Sequence, residues 1–144
     1  KKVLIHHGWT NIRPPGHWAR LAAAELRNNG NQVWYPQFPD PDTPETTKWQ
    51  ELLRQEANMM DEVEGGEKIA ICHSLGTTNW LVAAMNDLFT EPFDRVLLIA
   101  PLTQTNHFIP IERRHPYINL ICTANAHRSS GEWQHGLMSS TITN

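Results

Sequence analysis

The sequence predicts a three-layer α/β/α domain, in which helices cover both faces of a mostly parallel, doubly wound sheet. Two observations lead to this fold class. Short apolar runs alternate along the chain with longer segments whose apolar residues recur at helical spacing, and such alternation is typical of βαβ units. The length, 144 residues, suits one domain with a single core.

The first third of the chain predicts a strand, a helix and a second strand. Residues 3–5 are apolar and precede His-His-Gly, which indicates a buried strand that leads into a loop. Apolar residues then recur at helical spacing from Trp18, and Asn28-Asn29-Gly30 is a strong helix stop. Residues 32–35 predict the second strand. The four prolines of residues 36–44 predict an extended surface loop.

The rest of the chain repeats this alternation. Residues 46–63 place Trp49 and other apolar side chains on one helical face, until Gly65-Gly66 breaks the pattern. The remaining predicted elements are a strand at 68–72, a helix at 75–88, and strands at 95–100 and 117–122. Pro101 ends the fourth strand, and residues 102–116 have the composition of a loop.

Composition and charge exclude several classes of protein. The formal net charge is -3 and no basic stripe is present, so nucleic acid is a poor candidate partner. No apolar run approaches the roughly 20 residues that a membrane span needs. The two cysteines, Cys72 and Cys122, lie in predicted buried strands rather than in a disulfide framework, so we expect a cytoplasmic protein.

An apolar strand and an apolar helix flank the segment Cys72-His73-Ser74-Leu75-Gly76. This context is that of a nucleophile elbow, in which a tight, strained turn lifts a serine hydroxyl above the sheet edge. The turn needs small residues two positions before and after the serine; Gly76 meets this need, and Cys72 replaces the first glycine. The amide of Leu75 is then placed to bind an oxyanion. The alternative is that Ser74 only caps the helix.

A second segment, His6-His7-Gly8-Trp9, ends the first strand at the same edge of the sheet. Such a loop supplies the second amide of an oxyanion hole, which we assign to Trp9. The favoured role for His6 and His7 is packing and hydrogen bonding beneath the loop. A metal site is the alternative, but adjacent strand residues point to opposite faces and no metal-ligand spacing occurs, so we expect no metal.

Several motifs occur together in one order and spacing: His-His-Gly-Trp at 6–9, Pro-Gly-His-Trp at 15–18, Pro-Gln-Phe-Pro-Asp-Pro at 36–41, Trp49 and the Ser74 segment. In these motifs the chain resembles the RBBP9/YdeN family of small serine hydrolases, from about residue 2 to Asn125. The resemblance implies an α/β-hydrolase-like fold, Ser74 as nucleophile and no cofactor. We expect a carboxylesterase-like enzyme that acts on a small ester or amide.

The resemblance also implies an acid after the fifth strand and a histidine near the C-terminus. Where the acid is expected the sequence has Ala126, and no aspartate follows Asp94. We take His135 as the base because it lies farthest along the chain. The other candidates are His107, His115 and His127. A serine without a positioned base is a weak nucleophile, so an incomplete triad predicts reduced activity.

The last nineteen residues or so differ in pattern from the rest of the chain. Residues 1–125 are predicted to form the α/β-hydrolase core. Residues 126–144 are predicted to be an atypical tail in place of the usual last strand and helix, so the fold is abbreviated at its C-terminus. A frameshift and a native shortened tail both remain open. If the last strand and helix are missing, the fifth strand becomes an exposed edge, which predicts a homodimer or a poorly soluble monomer. The alternative function is that of a non-catalytic, protein-binding member of the same fold.

Overall fold

The computed structural model describes residues 1–101 and the backbone of residues 119–123. The strands of this part are β1 (Lys2–His6), β2 (Gln32–Trp34), β3 (Lys68–His73), β4 (Arg95–Ile99) and β5 (Asn119–Thr123), and its helices are α1 (Trp18–Asn28), α2 (Thr46–Asp61) and α3 (Leu75–Met85). Each lies where the sequence predicts an element, with ends that differ by at most three residues. None of these helices is long and apolar enough to cross a membrane.

Helix α3 ends three residues before the predicted end at Leu88. The reason is that Asp87 adopts a left-handed backbone with φ of 51°. The amides of Asp87 and Leu88 donate to the carbonyl oxygens of Ala84 and Ala83 at 3.3 and 3.0 Å. This pair of hydrogen bonds is a Schellman motif, which closes the helix although Leu88 continues the apolar spacing.

The strands form one parallel sheet in the order β2-β1-β3-β4-β5. The chain leaves β1 toward β2 on one side, and it leaves β3 toward β4 on the other. The carboxyl ends of β1 and β3 therefore lie where the strand order reverses, which is where parallel α/β sheets bind ligands. The register pairs His6 with Cys72, so the segments that follow β1 and β3 begin side by side.

Helices cover both faces of the sheet. On one face α1 packs on β1 and β3 through a small core built around Val3, Ile5, Ala19 and Ala23. On the other face α2 and α3 cover a larger core that includes Leu4, Trp49, Leu53, Trp80 and Leu98. The predicted three-layer α/β class is confirmed. The predicted tail at 126–144, and with it the boundary at 125 and the C-terminal abbreviation, lies outside the described residues.

A buried ion pair lies at the amino end of β3. The Lys68 ammonium is 2.6 Å from Asp61 Oδ1, and it donates to the carbonyl oxygen of Glu91 at 3.0 Å. Only 3% of Lys68 is exposed. Burial lowers the pKa of Lys68, although the hydrogen bond that Lys68 donates to Asp61 opposes this effect. The pair ties the start of β3 to the end of α2.

Candidate active site

Ser74 lies in the sharp turn between β3 and α3, and we refer to residues 73–76 as the Ser74 turn. Its φ is 51° and its ψ is -121°. A non-glycine residue in this region is uncommon and costs about 1–3 kcal/mol. The Ser74 amide donates to the carbonyl oxygen of Ile99 at 2.9 Å, and the Ser74 carbonyl oxygen accepts from the Thr77 hydroxyl at 2.6 Å. The neighbouring strand and helix thus hold the strained backbone in place.

The side chain of Ser74 makes no capping hydrogen bond to α3. A capping serine has an extended backbone and accepts a hydrogen bond from an amide of the first helical turn. Ser74 has neither property. The alternative in which Ser74 only caps the helix is therefore not supported by the structure.

Two glycines allow the Ser74 turn to pack closely on the end of β1. A Cβ atom added to Gly8 would lie 2.8 Å from the Cβ of Ser74. A Cβ atom added to Gly76 would lie 2.5 Å from the carbonyl oxygen of His7 and 2.6 Å from Nδ1 of His6. These spaces are too small for any side chain, so the two glycines set how closely the β1 loop approaches Ser74.

His6 and His7 are both buried beneath this loop, and each uses both of its ring nitrogens. The Phe38 amide donates to His7 Nε2 at 2.8 Å, so His7 Nδ1 carries the proton and donates to the carbonyl oxygen of Gly8 at 2.6 Å. His6 Nδ1 donates to the carbonyl oxygen of His7 at 2.9 Å. His6 Nε2 then accepts from Asn79 Nδ2 at 2.9 Å.

Burial keeps both imidazoles neutral. It lowers the pKa of His6 to about 3 and the pKa of His7 to about 4. The His6 ring stacks on Phe38 with centroids 3.8 Å apart, and Trp49 lies against both histidines. These two rings therefore support the loop by packing and hydrogen bonding, the role that the sequence favours for them.

The loop after β1 is attached to the proline-rich loop after β2. The Trp9 indole donates to the carbonyl oxygen of Asp42 at 3.0 Å, and the Thr10 amide donates to that of Pro41 at 3.0 Å. Thr10 and Asn11 both have positive φ, at 61° and 46°. The Trp9 side chain is 63% exposed, so its hydrogen bond to the neighbouring loop, rather than burial, fixes its position.

Arg13 also holds the loop after β1 in place. Its Nε donates to the side-chain oxygen of Asn11 at 2.8 Å, and its Nη2 donates to the carbonyl oxygen of Pro36 at 2.9 Å. The guanidinium lies 3.7 Å from the centroid of the Tyr35 ring. Arg13 thus joins the Trp9 loop to the end of β2.

Leu75 is the first residue of α3. The first amides of a helix have no acceptor within it and carry the positive end of the helix dipole. A cleft of about 120 Å³ opens beside Leu75, between the beginnings of α2 and α3. The Ser74 turn therefore adjoins both a helix N-terminus and a small cavity.

Two other residues of the predicted elbow, Cys72 and His73, pack against the rest of the domain. Cys72 is fully buried, and burial raises the pKa of its thiol. The His73 ring lies edge-on to Trp18, with centroids 5.4 Å apart, and burial lowers its pKa. The predicted base His135 lies outside the described residues, as do the alternatives His107, His115 and His127.

Three residues that organise the site were not singled out from the sequence: Arg13, Gln50 and Asn79. The Gln50 side chain donates to Oδ1 of Asn79 at 2.6 Å, and Asn79 in turn donates to His6. Asn79 had no distinguishing signal, because Thr77 and Thr78 are polar residues of the same helix. Arg13 and Gln50 had none either, because both lie in polar segments.

Known proteins resemble this chain in sequence and in fold. A family model described as serine hydrolase matches residues 3–134. The crystal structure of the ydeN gene product from B. subtilis matches with a TM-score of 0.58 and 20% identity, over 71% of this chain and 52% of that one. At this identity the likeness shows the fold alone, and the chain spans about half of that protein's length. No curated protein matches the sequence.

Proposed function

The chain belongs to the serine hydrolase family, and from this premise we propose that it hydrolyses small esters or amides with Ser74 as the nucleophile. The observation that carries the proposal is the positive φ of Ser74 at the carboxyl end of β3, in a serine that does not cap α3. Strain at such a position is a cost that a purely structural serine does not need. We interpret the Ser74 turn as a nucleophile elbow.

The proposed oxyanion hole consists of the amides of Leu75 and Trp9. Leu75 opens α3, so its amide lacks an acceptor in the helix and the helix dipole favours negative charge there. Trp9 follows Gly8, whose backbone packs on Ser74. The hydrogen bonds of the Trp9 loop to residues 41 and 42 keep that loop in place before substrate arrives, as electrostatic stabilisation of an oxyanion requires.

In the proposed reaction the Ser74 hydroxyl attacks the carbonyl carbon of the substrate and gives its proton to a base. The base returns this proton to the departing alcohol or amine, which leaves the acyl group bonded to Ser74 Oγ. A water molecule then attacks the acyl carbon, and a carboxylic acid and free Ser74 result. His135 is the proposed base. His6 and His7 are unsuitable because both ring nitrogens of each are bonded and their pKa values are about 3 and about 4.

Labelling with a fluorophosphonate tests the nucleophile. Ser74 is the only serine in tryptic fragment 69–95, and the other four serines lie in fragment 129–144, so peptide mass spectrometry identifies the labelled residue. We expect a label on fragment 69–95 of the wild type and none on Ser74→Ala. Met85→Ala is the matched control, because Met85 is exposed on the same helix; it should be labelled like the wild type.

The rate of labelling tests the base. If His135 takes the Ser74 proton, His135→Gln should be labelled at least about 100-fold more slowly, whereas His127→Gln should keep the wild-type rate. A folded wild-type chain that takes up no label at Ser74 would contradict the hydrolase proposal and would favour the non-catalytic member of the fold.

A further inference from the structure

Resting on the hydrolase function proposed above, we propose that the cleft beside Leu75 binds the acyl group of the substrate and restricts it to short, uncharged aliphatic chains. Nothing in the family assignment specifies such a substrate. The position, lining and size of the cleft all favour such a chain.

The cleft shares a wall with the Ser74 turn. Leu75, the residue after Ser74, lines the cleft, as do the buried residues Trp49 and Asn79. Trp49 and Asn79 both contact His6. The ring centroids of Trp49 and His6 are 5.5 Å apart, and Asn79 Nδ2 is 2.9 Å from His6 Nε2. His6 in turn faces Gly76 across the closest approach of β1 to the turn. A group bonded to Ser74 Oγ therefore lies one residue from the cleft.

The lining of the cleft is mainly apolar. Pro44, Trp49, Leu75 and Val82 contribute apolar side chains, and the exposed residues Thr46 and Thr78 stand at its rim. Among the described residues, none that lines the cleft is charged. A charged acyl chain would lose its hydration there without gaining a partner, so an uncharged aliphatic chain is the favoured occupant.

The volume limits the length of that chain. The cleft measures about 120 Å³, whereas pockets for drug-sized ligands measure roughly 300–1,000 Å³. A protein cavity of about 150 Å³ holds one benzene molecule, which has six carbon atoms. By this comparison the cleft accommodates about four carbon atoms, the size of a butyryl group.

The acyl group fits this cleft better than the leaving group does. The acyl group stays bonded to Ser74 between the two steps of the reaction, so a cleft beside the Ser74 turn can hold it throughout. The leaving group must depart and water must enter before the second step, and both movements need an open side. The Ser74 turn has such an open side toward Trp9, whose side chain is exposed.

The test compares p-nitrophenyl acetate, butyrate, hexanoate and octanoate as substrates of the full chain. Burying a methylene group is worth about fourfold in kcat/KM, so the wild type should favour butyrate over acetate by about 15-fold and lose this gain at octanoate. Val82→Phe fills the cleft and should bring the butyrate-to-acetate ratio close to one. Val82→Ala enlarges the cleft and should move the optimum to hexanoate.

Met85→Phe is the matched control. Met85 is 62% exposed one turn further along α3, and it does not line the cleft, so this variant should keep the wild-type chain-length profile. If Val82→Phe also keeps that profile, the cleft does not hold the acyl group. A parallel series of acetate esters with lengthening alcohols tests the other placement: a Val82→Phe effect confined to that series overturns the acyl assignment.

Fluorophosphonate labelling of Ser74 separates this inference from the function on which it rests. Variants that take up the label like the wild type but show an unchanged chain-length profile refute the cleft assignment alone. A wild type that is neither labelled nor active on the acetate ester refutes both. If Val82→Phe does not fold, as judged by its thermal unfolding, Thr78→Leu at the rim replaces it, with the same fall in the butyrate-to-acetate ratio expected.

Discussion

Lowering the pH from 7 to 5 should destabilise the fold strongly, because His6 and His7 are held neutral. An unfolded histidine takes up a proton near pH 6.5. In the folded chain burial lowers the pKa to about 3 for His6 and to about 4 for His7. Between pH 6.5 and pH 4 the unfolded chain therefore binds protons that the folded chain does not, and stability falls as the pH falls.

The size of the effect follows from these pKa values. Each proton bound only by the unfolded chain lowers the free energy of unfolding by about 1.4 kcal/mol per pH unit. From pH 7 to pH 5 the loss is about 2 kcal/mol for each histidine, or about 4 kcal/mol for the pair. The lowered pKa of His73 acts in the same direction, and the raised pKa of Glu56 opposes it. A loss of this size is a large fraction of the roughly 5–15 kcal/mol of a typical domain.

Urea unfolding followed by tryptophan fluorescence at pH 7, 6 and 5 measures this loss. His7→Gln is the control, because the glutamine side-chain oxygen can still accept from the Phe38 amide but cannot titrate. Between pH 6 and pH 5 the two histidines should give a slope of about 2.4 kcal/mol per pH unit in the wild type, and the one that remains should give about 1.2 kcal/mol per pH unit in His7→Gln.

Equal slopes in the two proteins would show that His7 does not titrate as the buried hydrogen bonds imply. A wild-type stability that is the same at pH 7 and pH 5 would refute the reasoning for both rings. The urea dependence of the unfolding free energy should stay constant across this range, because the folded state itself is unchanged.

Two further substitutions test the packing of the site and of the sheet. Gly76→Ala should destabilise the fold by about 1–3 kcal/mol, because the new Cβ would lie 2.5 Å from the His7 carbonyl oxygen. This loss is expected although alanine ordinarily stabilises a helix. A neutral or stabilising effect in urea unfolding, relative to Thr78→Ala, would contradict the close approach. Asp61→Asn should cost about 3 kcal/mol because it leaves Lys68 buried without its counter-charge. Adding Lys68→Met to Asp61→Asn should recover part of this loss of stability. A double-mutant cycle that gives no coupling energy between the two positions would count against the buried pair.

The elements and the Ser74 turn could be predicted because their signals are local. The apolar strand at 68–72, the small residue Gly76 and the apolar helix that follows lie within twenty residues of one another, and local pattern decides such a turn. The sheet class followed from the alternation of strands and helices. The end of α3 was missed because Leu88 continues the apolar spacing, although aspartate is one of the residue types that tolerate the left-handed backbone found at Asp87.

The surroundings of the turn could not be predicted from local pattern. In the sequence Gly8 only marks the end of a strand. Glycine is required there because a side chain would collide with Ser74, which lies 66 positions later. Gln50 and Asn79 read as ordinary polar helix residues until α2 and α3 are brought together over His6. The hydrogen-bond partners of His6 and His7 depend on this packing. The alternation of side chains along a strand does not specify them.

Residues from distant parts of the chain hold the Ser74 turn. Asn79 and His6 are bonded across 73 positions, and Gly8 meets Ser74 across a similar span. Contacts between positions so far apart require the closure of long loops, which costs chain entropy. The close packing around the Ser74 turn therefore depends on β1 lying beside β3, and it is a property of the assembled sheet rather than of the turn alone.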